Sequence, residues 1–137
     1  MVLRFLWWGH RFWYRVSAGR IGAKVRNLPV LELTTAGRRS GKRRSVLLNH
    51  VSHARGFVVV ASNAGSDRPP GWWLNLEAHP RAEVRVGRLR TQVRAETLEG
   101  TERHELWSRF VAANTDYAGY ERATDRLIPV VLLAREH

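Results

Sequence analysis

LTTAGRRSGKRRSVLL, residues 33–48, places five cationic side chains between two apolar, strand-like ends. These side chains belong to Arg38, Arg39, Lys42, Arg43 and Arg44. Because burying unpaired charge is costly, the segment must come to the surface between two strands. Thr34 and Thr35 favour an extended backbone before it, while Gly37 and Gly41 permit the positive φ angles of a tight connection. The stretch predicts a strand, an exposed cationic loop and a second strand.

The loop suits an anionic ligand. Guanidinium groups bind planar anions through paired hydrogen bonds, and backbone N–H groups exposed near glycines add fixed donors. The alternative is an ordinary solvated hairpin tip. A Walker loop is excluded, because three residues rather than four separate Gly37 from Gly41, and Arg43 rather than Ser or Thr follows Lys42.

Length and composition narrow the classes of protein. With 137 residues the chain predicts one domain, and its formal charge of +11 indicates a polyanion, an anionic membrane surface or an acidic small molecule as partner. The absence of cysteine excludes disulfides, thiolate metal sites and a cysteine nucleophile, and it fits a reducing cytosol. Because Arg4 and Arg11 interrupt the N-terminal apolar run, no secretory core or membrane span is predicted, and we expect a cytoplasmic protein.

Residues 2–17 predict an amphipathic helix, with Arg4, Arg11 and Arg15 along one stripe and an excess of aromatic side chains elsewhere. This pattern suits contact of residues 1–17 with an anionic membrane surface, on the inner face of the cell membrane. The alternative is a helix that covers the main domain or a homodimer partner. Residues 18–28 predict a connection. Residues 1–28 therefore form an N-terminal unit, and residues 29–137 form the main domain.

The main domain contains both strand and helix patterns. Strands are predicted at residues 29–35, 44–51, 56–62, 82–86, 88–95 and 127–133. Helices are predicted at residues 72–78, 101–113 and 116–123. The order predicts an α+β domain of about six mainly antiparallel strands, a number that a small barrel closes well.

One histidine pair has the spacing of metal ligands. His50 and His53 are three residues apart, on or beside the second predicted strand. On a strand, residues three apart point to opposite faces. We therefore predict no metal site.

Five motifs follow one another beyond residue 28. They are LTTAGRRSGKRR (33–44), VVVASNAG (58–65), PGWWLNLEAHP (70–80), ERHELW (102–107) and YAGYERATDRLIPVVLL (117–133). Together they resemble the deazaflavin-dependent nitroreductase family, actinobacterial reductases with a split β-barrel that use reduced coenzyme F420. The resemblance implies a split β-barrel of the FMN-binding type, an oxidoreductase activity and F420 as the cofactor.

The resemblance also implies a set of site residues. The family's cofactor is an anionic deazaflavin with a phospholactyl and oligoglutamate tail, which fits the cationic loop. The implied contacts with the tail are Arg38, Arg39, Ser40, Arg44 and Ser45. The implied contacts with the ring are Val60, Ala61, Ser62 and Asn63 on one side, and Gly71, Trp72, Trp73, Leu74 and Asn75 on the other. Ser62 would act near the hydride-donating carbon, Tyr117 and Tyr120 would shape the substrate pocket and relay a proton, and Tyr117 would also contact the cofactor.

Simpler interpretations exist for several of these residues. Trp72 and Trp73 can be core aromatics. Tyr117 and Tyr120, spaced i, i+3, can form one packed helix face. Asn75 can be a helix cap or a buried amide.

The chain departs from the family pattern at four places. Arg39 replaces a lysine, Leu47 replaces a proline and Asn114 replaces a tyrosine, while the usual Ser-Lys-Gly-Gly corner is Ser-Asn-Ala-Gly at residues 62–65. The small-molecule acceptor of the hydride is therefore open between a quinone, a nitroaromatic and a conjugated enone. Two other functions remain, an FMN-binding split-barrel oxidoreductase and a basic nucleic-acid-binding module without enzymatic activity. Nucleic acid is disfavoured, because the tryptophans are not interleaved with the cations of the loop.

Overall fold

A computed structural model describes residues 24–25 and 27–136. The predicted helix at residues 2–17 lies outside these residues, as does most of the connection at 18–28, so the division of the chain at residue 28 stays a prediction. Of the helices in the described part, none is both long enough and apolar enough to cross a membrane.

The described residues form eight strands and three α-helices. The strands are β1 (Lys24–Val25), β2 (Leu28–Ala36), β3 (Arg43–Asn49), β4 (Val51–His53), β5 (Gly56–Val60), β6 (Arg81–Val86), β7 (Leu89–Thr97) and β8 (Val130–Arg135). The helices are α1 (Gly71–Ala78), α2 (Gly100–Ala113) and α3 (Asp116–Ala123), and a single 3₁₀ turn at Asn63–Gly65 follows β5.

All described strands pair antiparallel. Their order is β1-β2-β6-β7-β8-β5-β4, and β3 pairs with β2. Ala36 lies opposite Arg43, so the loop at residues 37–42 joins two directly paired strands, as predicted. The β6–β7 hairpin turns at residues 87–88, where Gly87 has a φ of 59°. A two-residue turn with a positive φ matches the twist of the flanking strands.

The central strands are apolar on both faces. Val58, Val60 and Leu132 face a first cluster of buried residues, and Val59, Val131 and Leu133 face a second. The first cluster packs the sheet against α2 and α3, through Leu106, Trp107, Phe110 and Tyr117. The second packs it against α1, through Trp72 and Leu76. Burial on both faces explains why the run GFVVVAS is apolar without alternation.

The predicted strand at residues 44–51 is interrupted. β3 ends at Asn49 and β4 begins at Val51. At the break, the His50 N–H donates to the carbonyl oxygen of Pro29 at 3.0 Å. The long strand is therefore two shorter ones, which raises the number of strands above the six predicted.

The predicted strands at 56–62 and 127–133 have wrong boundaries for a common reason. The Ala61 N–H donates to the carbonyl oxygen of Pro129 at 2.9 Å, and this bond lies just outside β5 and β8. Beyond it, Ser62 has a helical backbone, with φ −74° and ψ −32°, which turns the chain away from the sheet. On the other side Pro129 has no N–H to extend the ladder, so β8 begins only at Val130.

Candidate cofactor site

The cationic loop is a closed, exposed turn. The Gly37 N–H donates to the Lys42 carbonyl oxygen and the Gly41 N–H donates to the Gly37 carbonyl oxygen, both at 2.8 Å. Gly41 has a φ of 72°, a conformation that glycine adopts without strain. The side chains from Arg38 to Arg44 are all exposed. The sequence correctly predicts a tight loop that presents its cations to solvent.

Asn75 of α1 binds the start of this loop. Its Oδ1 atom accepts hydrogen bonds from the Arg38 N–H at 3.1 Å and from Arg38 Nη1 at 3.2 Å. Its Nδ2 atom donates to Thr35 Oγ1 at 3.0 Å. Asn75 is 5% exposed and Thr35 is 2% exposed, so this amide is a buried link between α1, β2 and the loop. The predicted contact of Asn75 with the ring stays a prediction, whereas its effect on Arg38 is direct.

A polar depression lies beside the loop. Its volume is about 350 Å³, and it is lined by Glu32, Thr34, Arg43, Arg44, Ser45, Glu83 and Arg90. Within it, Arg43 pairs with Glu83 at 3.4 Å, and the Thr34 and Ser45 hydroxyl oxygens are 2.8 Å apart. Two predicted tail contacts, Arg44 and Ser45, therefore face the same depression. Within residues 27–136, no acidic side chain pairs with Arg39, Lys42 or Arg44, and the predicted contacts of Arg39 and Arg44 with the tail stay predictions.

The predicted ring contacts lie at the end of β5. We call residues 61–66 the corner. Val60 and Ala61 are buried in the two apolar clusters, so they would contact a ligand through their backbone rather than their side chains. Asn63, Ala64 and Gly65 follow with φ angles of 45°, 54° and 81°. Three successive left-handed residues are rare, and for alanine this conformation is strained.

Arg126 holds the corner, and the sequence analysis missed it. Its Nε atom donates to the Ser66 carbonyl oxygen at 2.8 Å, Nη1 donates to that of Ala61 at 3.1 Å, and Nη2 donates to that of Ser62 at 2.8 Å. Burial lowers the pKa of the Arg126 guanidinium, while the negative charge of Asp67 opposes the shift. No local pattern announces this role, because the carbonyls lie about sixty residues earlier in the chain.

The residues of α1 divide by exposure. Trp72 is 8% exposed and belongs to the second apolar cluster, so it is a core aromatic. Trp73 packs against the same cluster and is half-buried, as is Leu74. Gly71 is exposed at the start of the helix. Trp73 and Leu74 are thus better placed than Trp72 to cover a bound ring.

Tyr117 and Tyr120 lie together on α3. Their ring centroids are 5.6 Å apart, and Tyr117 also packs edge-on against Phe110 at 5.3 Å. Tyr117 is 7% exposed, and its hydroxyl accepts a hydrogen bond from Asn49 Nδ2 at 3.1 Å. Tyr120 is half-buried. The packed-face interpretation describes both residues, and their predicted part in proton transfer stays a prediction.

The contacts divide the predicted site residues into two groups. The first contains the loop and α1, joined by Asn75. The second contains the corner and α3, which touch at Gly65: a Cβ atom added there would lie 3.0 Å from the Cα atom of Tyr120. Ser62 and the two tyrosines therefore belong to one unit, and the predicted tail contacts belong to the other.

His50 and His53, the pair with the spacing of metal ligands, lie in different surroundings. His50 is 4% exposed, and burial lowers its pKa to about 4. His53 Nε2 lies 3.1 Å from Glu102 Oε2. The part of the chain that the structure describes contains no group of three or more His, Asp or Glu side chains placed to bind a metal.

Comparison with known proteins identifies relatives of this chain. The family described as F420H(2)-dependent quinone reductase matches residues 8–135. An F420H(2)-dependent quinone reductase of Mycobacterium tuberculosis is 35% identical over 126 residues, which cover 89% of this chain and 85% of that protein. The identity and the coverage are high enough to establish common ancestry over most of the chain.

Solved structures agree with this relationship. An F420-H2-dependent reductase of the FDR-A type is 38% identical, with a TM-score of 0.70 over 82% of this chain and 99% of the other. A structure described as a domain-swapped dimer is 36% identical, with a TM-score of 0.72 over 92% of this chain and 96% of the other. The predictions of a split β-barrel fold, of an oxidoreductase and of coenzyme F420 as its cofactor are confirmed. The chain belongs to the F420H(2)-dependent quinone reductase family.

Proposed function

We propose that this protein transfers a hydride from reduced coenzyme F420 to a quinone. The observation that carries the proposal is the family match, which spans residues 8–135 and so includes the loop, the corner and both tyrosines. A quinone is favoured over a nitroaromatic or an enone, because the relatives are named as quinone reductases. The chain also differs from the nitroreductase pattern at two positions, because Asn114 stands where that pattern has a tyrosine and Asn63 stands where it has the lysine of the corner.

The donor set around the loop fits the charge of the cofactor. F420 carries a phosphate and several carboxylates on its tail, and all can accept hydrogen bonds from guanidinium groups. Arg39 and Arg44 are exposed and have no acidic partner among residues 27–136, and the Ser45 hydroxyl lies in the same depression as Arg44. Asn75 accepts a hydrogen bond from Arg38 Nη1 and so sets the orientation in which Arg38 would approach the ligand. These residues would bind the tail.

The chemistry then needs orientation more than a reactive side chain. Reduced F420, when bound, supplies the hydride. The backbone of the corner, with Ser62 at its start, would orient the ring, while Trp73 and Leu74 would exclude water from its other side. Asn49 fixes the direction of the Tyr117 hydroxyl, and the half-buried Tyr120 would deliver a proton to the quinone oxygen from its own hydroxyl group.

Two further proposals concern partners. Contact of residues 1–17 with an anionic membrane would bring a cytoplasmic protein to lipid-soluble quinones, and the chain's charge of +11 favours such a surface. Removing residues 1–17 should abolish binding to anionic vesicles while turnover of a short-chain quinone continues; unchanged vesicle binding would rule out this segment as the membrane contact.

Association as a homodimer draws support from the related structure described as a domain-swapped dimer.

The function is tested by binding and turnover. The purified protein is titrated with F420 by fluorescence, with FMN and a short DNA duplex as controls, and reduced F420 is then mixed with a short-chain quinone. Saturable F420 binding and quinone-dependent oxidation of reduced F420 are expected. Binding of F420 without quinone turnover would keep the cofactor and exclude the acceptor, while preference for FMN or DNA would overturn the proposal.

A further inference from the structure

The guanidinium group of Arg126 is committed to backbone. Each of its three nitrogen atoms donates to a different carbonyl oxygen of the corner, those of Ser66, Ala61 and Ser62, at 2.8 to 3.1 Å. Three of the five N–H donors of this guanidinium are thus occupied by backbone carbonyls. Arg126 therefore acts on the protein's own backbone, at the segment predicted to contact the cofactor ring.

The corner needs such support. Asn63 and Ala64 have left-handed φ angles of 45° and 54°, which side chains with a Cβ atom adopt only at a cost in free energy. Local hydrogen bonds provide part of the support: the Ser66 N–H donates to the Asn63 carbonyl oxygen at 3.0 Å, and Asn63 Nδ2 donates to the Arg68 carbonyl oxygen at 2.9 Å. The three bonds from Arg126 connect the corner to a distant part of the chain.

That distant part is the end of the tyrosine helix. Arg126 lies three residues after α3, which carries Tyr117 and Tyr120. A further hydrogen bond joins the same two segments, in which Thr124 Oγ1 donates to Asp67 Oδ1 at 2.8 Å. Gly65 adds direct packing, since a Cβ atom there would lie 2.9 Å from the Cβ atom of Ala123. The corner and the helix are thus joined by hydrogen bonds and by close packing.

We propose that Arg126 is a positioning residue for hydride transfer, which fixes the ring-contacting corner relative to the tyrosine helix. The inference rests on the proposed function, since it supposes that the ring meets the corner and that the quinone meets the tyrosines. In this role Arg126 would act through the backbone of the corner and not on either partner of the reaction. It sets the spacing between the two surfaces that hold them, and rates of group transfer depend steeply on such spacing.

The guanidinium shape is essential to this role. Its N–H groups point in fixed directions within one plane, so one side chain can satisfy three carbonyls at once. A lysine at the same position keeps the positive charge, but its donors all lie on one nitrogen atom, so it cannot reproduce this planar pattern of donors from three nitrogen atoms. Charge and geometry can therefore be separated by substitution.

The test compares Arg126→Ala and Arg126→Lys with Arg122→Ala. Arg122 is an exposed residue in the last turn of α3, so its loss removes the same charge without touching the corner. Three quantities are measured: hydrogen exchange of the amides at residues 61–66, affinity for oxidised F420, and the single-turnover rate of oxidation of reduced F420 by a short-chain quinone. Exchange is read without cofactor, so it remains informative if quinone turnover is absent in the parent protein.

We expect faster exchange at the corner and at least a tenfold slower single turnover in both Arg126 variants, with a smaller loss of F420 affinity. Arg122→Ala should resemble the parent protein, and millimolar guanidinium should partly restore the rate of Arg126→Ala. Parental exchange and rate in Arg126→Lys would overturn the proposal by showing that charge alone suffices. Exchange that rises equally throughout the protein would also overturn it, because Arg126 would then support only global stability. If Arg126→Ala does not fold, Arg126→Lys alone decides between these outcomes.

Discussion

Replacing Asn75 by alanine should weaken both the fold and cofactor binding, by amounts that follow from its contacts. The substitution removes one hydrogen bond donated to Thr35 and two accepted from Arg38. Both bonds from Arg38 are part-buried, but Arg38 is an exposed residue whose donors can be hydrated once Asn75 is removed, so losing these bonds costs about 1 kcal/mol. Thr35 Oγ1 is buried, and leaving it without its partner costs about 1–3 kcal/mol. We expect the free energy of unfolding to fall by about 2–4 kcal/mol.

Cofactor affinity should fall for a different reason. Without Asn75, the Arg38 side chain is free before binding and must be ordered by the ligand, which costs up to about 2 kcal/mol in side-chain entropy. A tenfold loss of F420 affinity corresponds to about 1.4 kcal/mol, and this is the size of effect expected. Urea denaturation measures the first quantity, and fluorescence titration with F420 measures the second.

A matched control separates the two effects. Ser108→Ala removes a side-chain hydrogen bond away from the loop, which the exposed Ser108 Oγ donates to the His104 carbonyl oxygen at 2.9 Å on α2. Its effect on stability should stay within about 0.5 kcal/mol, and its F420 affinity should equal that of the parent protein. If Asn75→Ala loses stability but retains full affinity, Arg38 is not held in place for the tail and the reasoning about the loop is refuted.

Three other predictions concern single residues. The pKa of His50 is lowered from 6.5 to about 4 in the folded state, so His50 stabilises the fold fully above pH 6.5 and this stabilisation is lost as the pH falls towards 4. The free energy of unfolding should therefore fall by about 3 kcal/mol in acid, as measured by denaturation, and His50→Leu should remove that part of the pH dependence. Gly65→Ala should destabilise the protein by at least about 2 kcal/mol through strain and crowding, whereas Gly71→Ala, with free space around its Cβ position, should change its thermal stability little. Arg44→Ala should weaken F420 binding about tenfold at low salt without unfolding, whereas Arg68→Ala should not; equal affinities in the two variants would remove Arg44 from the site.

The sequence predicts the loop well because the loop is a local structure. Its glycines, its threonines and its row of cations lie within sixteen residues, and each feature acts on the backbone beside it. The same holds for the β6–β7 hairpin, where Gly87 stands at the turn between two alternating strands. Features whose cause lies within a few residues can be read from the order of residues alone.

Contacts between distant residues could not be predicted in this way. Asn75 and Arg126 have the side chains that such roles require, but their partners lie between 37 and 65 residues away. Trp72 and Trp73 are identical in type and adjacent in sequence, and only the docking of α1 makes one buried and the other half-exposed. The corner is an intermediate case: Asn63 and Gly65 are typical of left-handed backbone, but Ala64 between them is not.

The division of the site into two groups has a consequence for how the protein works. Residues that bind the tail are held by Asn75 and α1, while residues predicted to meet the ring and the quinone are held by Arg126 and α3. Within residues 27–136 no hydrogen bond joins the loop to the corner or to α3, although Ala61 of the corner and Trp72 of α1 pack in the same apolar cluster; the polar contacts of the two groups are therefore separate. Changes in the first group should then act mainly on cofactor affinity, and changes in the second mainly on the rate of hydride transfer. The double variant Asn75→Ala, Arg126→Lys provides the test. If the groups act separately, its changes in F420 affinity and in the rate of hydride transfer should equal the sums of the changes in the two single variants, expressed as free energies. A departure from additivity of more than about 0.5 kcal/mol would mean that a bound ligand joins the two groups.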